Sequence, residues 1–162
     1  MKVEYRGDEV VISDFSQLEA YKMARRLEME GINFYNLLKS ASRDPGTKAA
    51  IDALLAEEHK HLKFFEAKAE ELAGPFEEDS VVDEVDTGVF SSLGEPGDLS
   101  VVVNDRVKAI ELGVLFENRS ASFFEACMAS ASDLSAKGAF SDVIKEERGH
   151  AESLKELLRR ER

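Results

Sequence analysis

The stretch "EERGH", residues 146–150, decides the fold. Glu147 and His150 stand one helical turn apart, so carboxylate and imidazole leave a helix on the same side. That side is also the apolar one. The inward series reads Phe140, Val143, Glu147, His150 with Ala151, Leu154 and Leu158, a stripe of helical period with polar groups at its centre. A buried carboxylate has to be met by something.

Working outward, the segment "EEHKH" (57–61) places Glu58 and His61 in the same relation, 89 residues earlier. The same offset superposes Glu28 on Glu117, Phe34 on Phe123, Tyr35 on Phe124, Glu57 on Glu146 and Asp44 on Asp133. Internal repetition of this kind marks two copies of one supersecondary unit. The remaining stripes fit. Helix one reads Tyr21, Ala24, Glu28, Ile32, Tyr35, Leu38; helix two reads Ile51, Leu55, Glu58, His61 with Leu62, Phe65, Leu72; helix three reads Ile110, Val114, Glu117, Ala121, Phe124, Met128. Each is interrupted near its middle by glutamate.

The helix ends are legible too. "SQLE" is a capping box, with Ser16 at the N-cap and Glu19 three residues on, and the helical pattern continues to about Ser42. "RDPGT" breaks it, with Asp44 before Pro45 opening a second helix that runs to about Ala73, where Gly74 and Pro75 stop it. Helix three is expected from about Asn104 to Ala131 and helix four from about Ser135 to the C-terminus. Residues 74–104 form a long connection with three short apolar clusters (Val81 with Val82, Val89 with Phe90, Val101 to Val103), and their acids read as a solvated surface. Residues 1–15 read as an N-terminal arm, either a short hairpin or an extended segment. Two short links flanking one long one predict an all-α fold: two helical hairpins joined by a crossover, the ferritin-like form of the four-helix bundle, over residues 16–162.

Composition bounds the function. There are 33 acidic against 21 basic residues, a net charge of −12, which repels phosphate backbones and anionic membranes and makes nucleic acid an unfavourable partner. No run approaches a membrane span, and the first residues show no signal peptide, so a soluble, cytoplasmic protein is expected. Cys127 is the sole cysteine, so any metal within one chain is held by oxygen and nitrogen. It is expected to be a small buried residue, as Gly31 and Gly113 are expected to permit close helix contact, and His59, off the inward stripe, is expected to be exposed.

Four glutamates converging on a core must be protonated or met by cations, because burial of unpaired carboxylates costs several kcal/mol each. Two divalent ions balance four carboxylates, and His61 and His150 add one neutral nitrogen apiece. Iron or manganese suits such oxygen-rich ligation, and affinity alone does not exclude zinc. The metal-ligand candidates are therefore Glu28, Glu58, His61, Glu117, Glu147 and His150. Tyr35 is the candidate catalytic side chain. Its hydroxyl either donates to a ligand carboxylate or is satisfied elsewhere while the ring fills the core.

Glu28 followed by Tyr35, "EEHKH", Glu117 in "FENRSASFF" and "EERGH" together resemble the di-iron domain of rubrerythrins, within the ferritin-like superfamily, over about residues 16–160. The resemblance implies that Glu58 and Glu147 bridge two iron ions, with Glu28 and Glu117 terminal and one histidine on each iron. It implies reduction of hydrogen peroxide, the irons cycling between diferrous and diferric states, in a chain expected to dimerise. Two departures stand out. Rubrerythrins carry a further glutamate where this chain has Ser120, and a four-cysteine rubredoxin module that one cysteine cannot supply, so electrons are expected from a separate donor protein. Ferritin-like ferroxidation, with dioxygen as oxidant, and a redox-inactive metal-binding bundle are the competing functions.

Overall fold

The computed structural model describes residues 1–6, 9–74 and 105–161. Among these are four helices, α1 Gln17–Ala41, α2 Pro45–Ala73, α3 Arg106–Ser130 and α4 Leu134–Glu161, preceded by an antiparallel pair of strands, β1 Lys2–Arg6 and β2 Glu9–Ser13. The all-α bundle expected from the stripes is what forms. Local chemistry explains the boundaries. Ser16 Oγ accepts from Glu19 N–H at 3.3 Å, Asp44 Oδ2 from Thr47 N–H at 2.6 Å, Asp105 Oδ1 from Lys108 N–H at 3.2 Å and Asp133 Oδ2 from Ala136 N–H at 2.8 Å. Each satisfies one donor left open by the first helical turn. These four caps obey the 89-residue repeat, Ser16 matching Asp105 and Asp44 matching Asp133.

α3 therefore starts at Arg106 behind the Asp105 cap, two residues beyond Asn104, which lies outside the described residues along with the rest of 75–104 and the three apolar clusters read there. α2 ends as expected: Gly74 takes φ +80°, a conformation open to glycine, and its N–H closes on Glu70 O at 2.8 Å.

The core is two apolar half-cores separated by a polar layer. One holds Tyr21, Leu27, Phe65, Phe124, Cys127 and Phe140, with Phe65 and Phe124 stacked at 5.3 Å. The other holds Ile32, Tyr35, Leu38, Ile51, Ile110 and Leu154. The first combines the N-terminal halves of α1 and α4 with the C-terminal halves of α2 and α3. Hence α2 finishes at one end of the bundle and α3 begins at the other, which is the crossover topology. α1 and α3 approach closely, in opposite directions: a Cβ on Gly31 would lie 2.9 Å from the Phe116 ring, and one on Gly113 3.3 Å from Phe34.

Three side chains need comment. The hairpin packs Val3, Tyr5, Val10 and Ile12 against the first half-core. Leu72, expected inward, is 51% exposed, because the inward row of α2 passes through Phe65 and Ala69 and the helix stops before another turn can bury it. His59 is exposed and Cys127 fully buried.

Candidate metal centre

Between the half-cores lie Glu28, Glu58, His61, Glu117, Glu147 and His150, none more than 5% exposed. They form two overlapping groups, Glu28–Glu58–His61–Glu147 and Glu58–Glu117–Glu147–His150, within each of which one ligand atom per residue lies within 4.8 Å of the others. Glu58 and Glu147 belong to both. All six ligand candidates read from the sequence are brought together, and the Glu-x-x-His spacing is the cause: one turn of α2 or α4 delivers a carboxylate and an imidazole to the same layer.

Both imidazoles turn Nδ1 inward. His61 Nδ1 lies 3.1 Å from Glu147 Oε1 and 3.7 Å from Glu28 Oε2; His150 Nδ1 lies 3.0 Å from Glu58 Oε1 and 3.6 Å from Glu117 Oε2. The outer nitrogen of His61 meets an acid of the opposite motif, whereas that of His150 is buried without a hydrogen-bond partner. Glu146 Oε2 is 2.5 Å from His61 Nε2, and Glu57 Oε2 is 3.9 Å from His150 Nε2. Carboxylates behind histidine in this way fix the tautomer and aim the other nitrogen. Glu57 and Glu146 are residues that sequence reasoning paired without giving them a role; their position immediately before Glu58 and Glu147 was the available signal.

Tyr35 donates to Glu117 Oε1, which settles the alternative left open for it. Phe124, at the matching place, only packs. Ser120 is buried and donates to Phe116 O at 3.1 Å within its own helix, so nothing there replaces the glutamate that rubrerythrins carry. Between α2 and α4 a cavity of about 260 Å³ reaches His61 and Glu146 from the surface, walled by Phe64 and Val143 and edged by Lys60.

Whether these residues fit metal ions is tested by their own hydrogen bonding. Glu28 Oε1, both Glu58 oxygens, Glu117 Oε2, Glu147 Oε1 and both Nδ1 atoms are buried without a directed hydrogen-bond partner. Such atoms are rare in folded proteins, and here they are all acceptors or potential lone-pair donors facing one space. They fit. Protonation in the metal-free chain says the same. Burial, then repulsion from Glu58, pushes the Glu28 and Glu147 carboxyls well above their usual range, and Glu117 rises for the same causes. Burial works against Glu58 ionising, but the two histidines facing it prevail and hold it below the usual range. His150 is opposed by burial but raised to about 10 by Glu117 and Glu58, and His61 is raised by Glu147, Glu28 and Glu58. Protons occupy the charge-balancing role that cations would take.

Buried, oxygen-rich Glu/His groups able to hold metal, inside a crossover four-helix bundle, place the chain in the ferritin-like class. Within that class the Rubrerythrin family model matches residues 19–158, nearly the whole chain, and the chain belongs to the rubrerythrin family. No curated protein and no solved structure matches it. Among the described residues no helix is long and apolar enough to cross a membrane.

Proposed function

We propose that this protein is a di-iron peroxidase of the rubrerythrin type, reducing hydrogen peroxide to water. The observation that carries the reading is the pair of buried four-residue groups sharing Glu58 and Glu147, in a chain of that family. Iron held there supplies two electrons and open coordination positions for peroxide. The protein's own residues do the rest. Glu58 and Glu147, common to both groups, would serve both ions, Glu28 and Glu117 would serve one each, and the histidines would present Nδ1, the His61 ring held by Glu146. Tyr35 keeps its phenolic proton, since burial and then Glu117 push its ionisation well above the usual range. Its hydrogen bond restrains the Glu117 carboxylate. The apolar half-cores above and below keep bulk water from the layer.

The reaction takes one peroxide, two protons and two electrons and yields two waters. Cys127 is buried and its thiol is pushed up by burial, so it is not the source of the reducing equivalents, which this reading assigns to an external donor. In this reading the protein acts in the cytoplasm, as a homodimer, against oxidative stress. The deciding experiment is anaerobic ferrous titration followed by one equivalent of hydrogen peroxide, monitored by absorption. Two irons per chain and ferric absorption that develops faster with peroxide than with dioxygen are expected. Fewer than one iron per chain would sink the assignment, and preference for dioxygen with progressive mineral formation would point to iron storage.

A further inference from the structure

The two halves of the centre are related by the 89-residue repeat, so their differences are meaningful position by position. Glu28 and Glu117 are equivalent, yet only Glu117 accepts a tyrosine hydroxyl; Glu28 Oε1 is buried without a partner, and Phe124 has no donor to offer it. His61 and His150 are equivalent, yet the acid behind His61 stands at 2.5 Å and the one behind His150 at 3.9 Å. The residue three places after each acid differs as well. Lys60 Nζ lies 3.3 Å from Glu57 Oε1 and pairs with the acid nearest His150, whereas Gly149, at the matching place, brings no cation to Glu146.

Both differences act in one direction. A carboxylate oxygen that accepts a phenolic hydrogen bond donates less to a cation, and an imidazole whose Nε2–H is held by a carboxylate donates more through Nδ1. The Glu28–His61 half thus has the stronger terminal ligands and the Glu117–His150 half the weaker ones. The shared Glu58 and Glu147 favour neither. The surface cavity described above also reaches this stronger half, at His61.

We propose that the centre comprises two unequal cation positions, and that the one framed by Glu28 and His61 takes a divalent transition-metal ion first, with Glu146 and Lys60 as the positioning residues that set the inequality. The proposal rests on the metal-binding reading above. It is tested with cobalt(II) alone, titrated into the metal-free full chain near neutral pH and followed by calorimetry and visible absorption. The first equivalent is expected to bind about tenfold or more tightly than the second, the scale on which carboxylates behind ligand histidines act. Glu146→Gln is expected to weaken the first event about tenfold and leave the second nearly unchanged. Lys60→Gln, an exposed non-ligand change, is expected to strengthen the second event by about two- to fivefold by releasing Glu57 to His150. Both side chains are on the surface, and helical circular dichroism confirms that the variants fold. Equal affinities in the parent chain, Glu146→Gln weakening both events alike or the second alone, or Lys60→Gln leaving the second event unmoved would overturn the proposal while leaving a di-metal centre in place. Absence of any cobalt binding would instead overturn the reading beneath it.

Discussion

The hairpin α1–α2 and the hairpin α3–α4 are two renderings of one unit, and comparing them separates what the bundle requires from what it tolerates. Caps, the glutamates shared by both groups, and the histidines coincide at every repeat position. Tyr35 faces Phe124, Gly31 faces Ser120, and Lys60 faces Gly149 across the repeat, and there the copies diverge. The lesson is physical: backbone hydrogen bonds and charge balance must be satisfied in each half, whereas a ring hydroxyl or a packing volume is needed once.

The comparison breaks most completely at a shared residue. Glu147→Ala removes a carboxylate from both groups, so metal affinity should fall more than about a hundredfold, beyond what loss of a residue supporting a ligand produces. Metal analysis after dialysis checks it, and unchanged iron content would refute the assignment. The metal-free variant should also be less stable than the parent, because it leaves buried His61 without the carboxyl beside its Nδ1.

Acidity acts on both halves together. His150 is raised to about 10 in the metal-free chain, so its contribution to stability is present below its unfolded value of about 6.5 and is lost as pH rises through about 10. Glu28, Glu117 and Glu147, also raised, contribute in the same sense, while Glu58, lowered, contributes in the opposite one and is lost in acid. The metal-free fold should therefore weaken from neutral to alkaline pH. Metal binding displaces those protons and should tighten about tenfold or more per unit between about pH 6 and about pH 8. Thermal melts with and without metal across that range test both signs, and an affinity flat with pH would contradict the protonation described.

At the α1–α3 approach, Gly31→Ser gives α1 the side chain its counterpart carries. The Phe116 ring sits 2.9 Å from the new Cβ, and the ring is itself buried, so a cost of about 1–3 kcal/mol is expected from overpacking. A melting temperature equal to the parent's would show that the ring yields freely. Tyr35→Phe makes the halves alike at the terminal carboxylate. It should narrow the difference between the two metal-binding events by up to about tenfold, the upper reach of a single hydrogen bond to a charged group. The smallest change is Gly149→Ala, where nothing lies within 4 Å of the added methyl: the helix should gain about 0.5–1 kcal/mol, read from denaturant midpoints.

The sequence by itself determined the four helices, the caps of the first two, the crossover topology and the six residues of the polar layer. Those rest on short-range rules: a cap binds three residues on, and Glu-x-x-His spans one turn, so side-chain period and charge are enough to read them. Tertiary structure alone decided that Glu146 stands behind His61 and Glu57 behind His150, that Tyr35 reaches Glu117 from another helix, and that Leu72 falls past the end of its buried row. It also decided that the strands Lys2–Arg6 and Glu9–Ser13 pair and pack onto their own bundle. In each of these cases the partner lies on a different element, and the angle at which two helices or a hairpin pack is a property of the whole core that no local spacing contains.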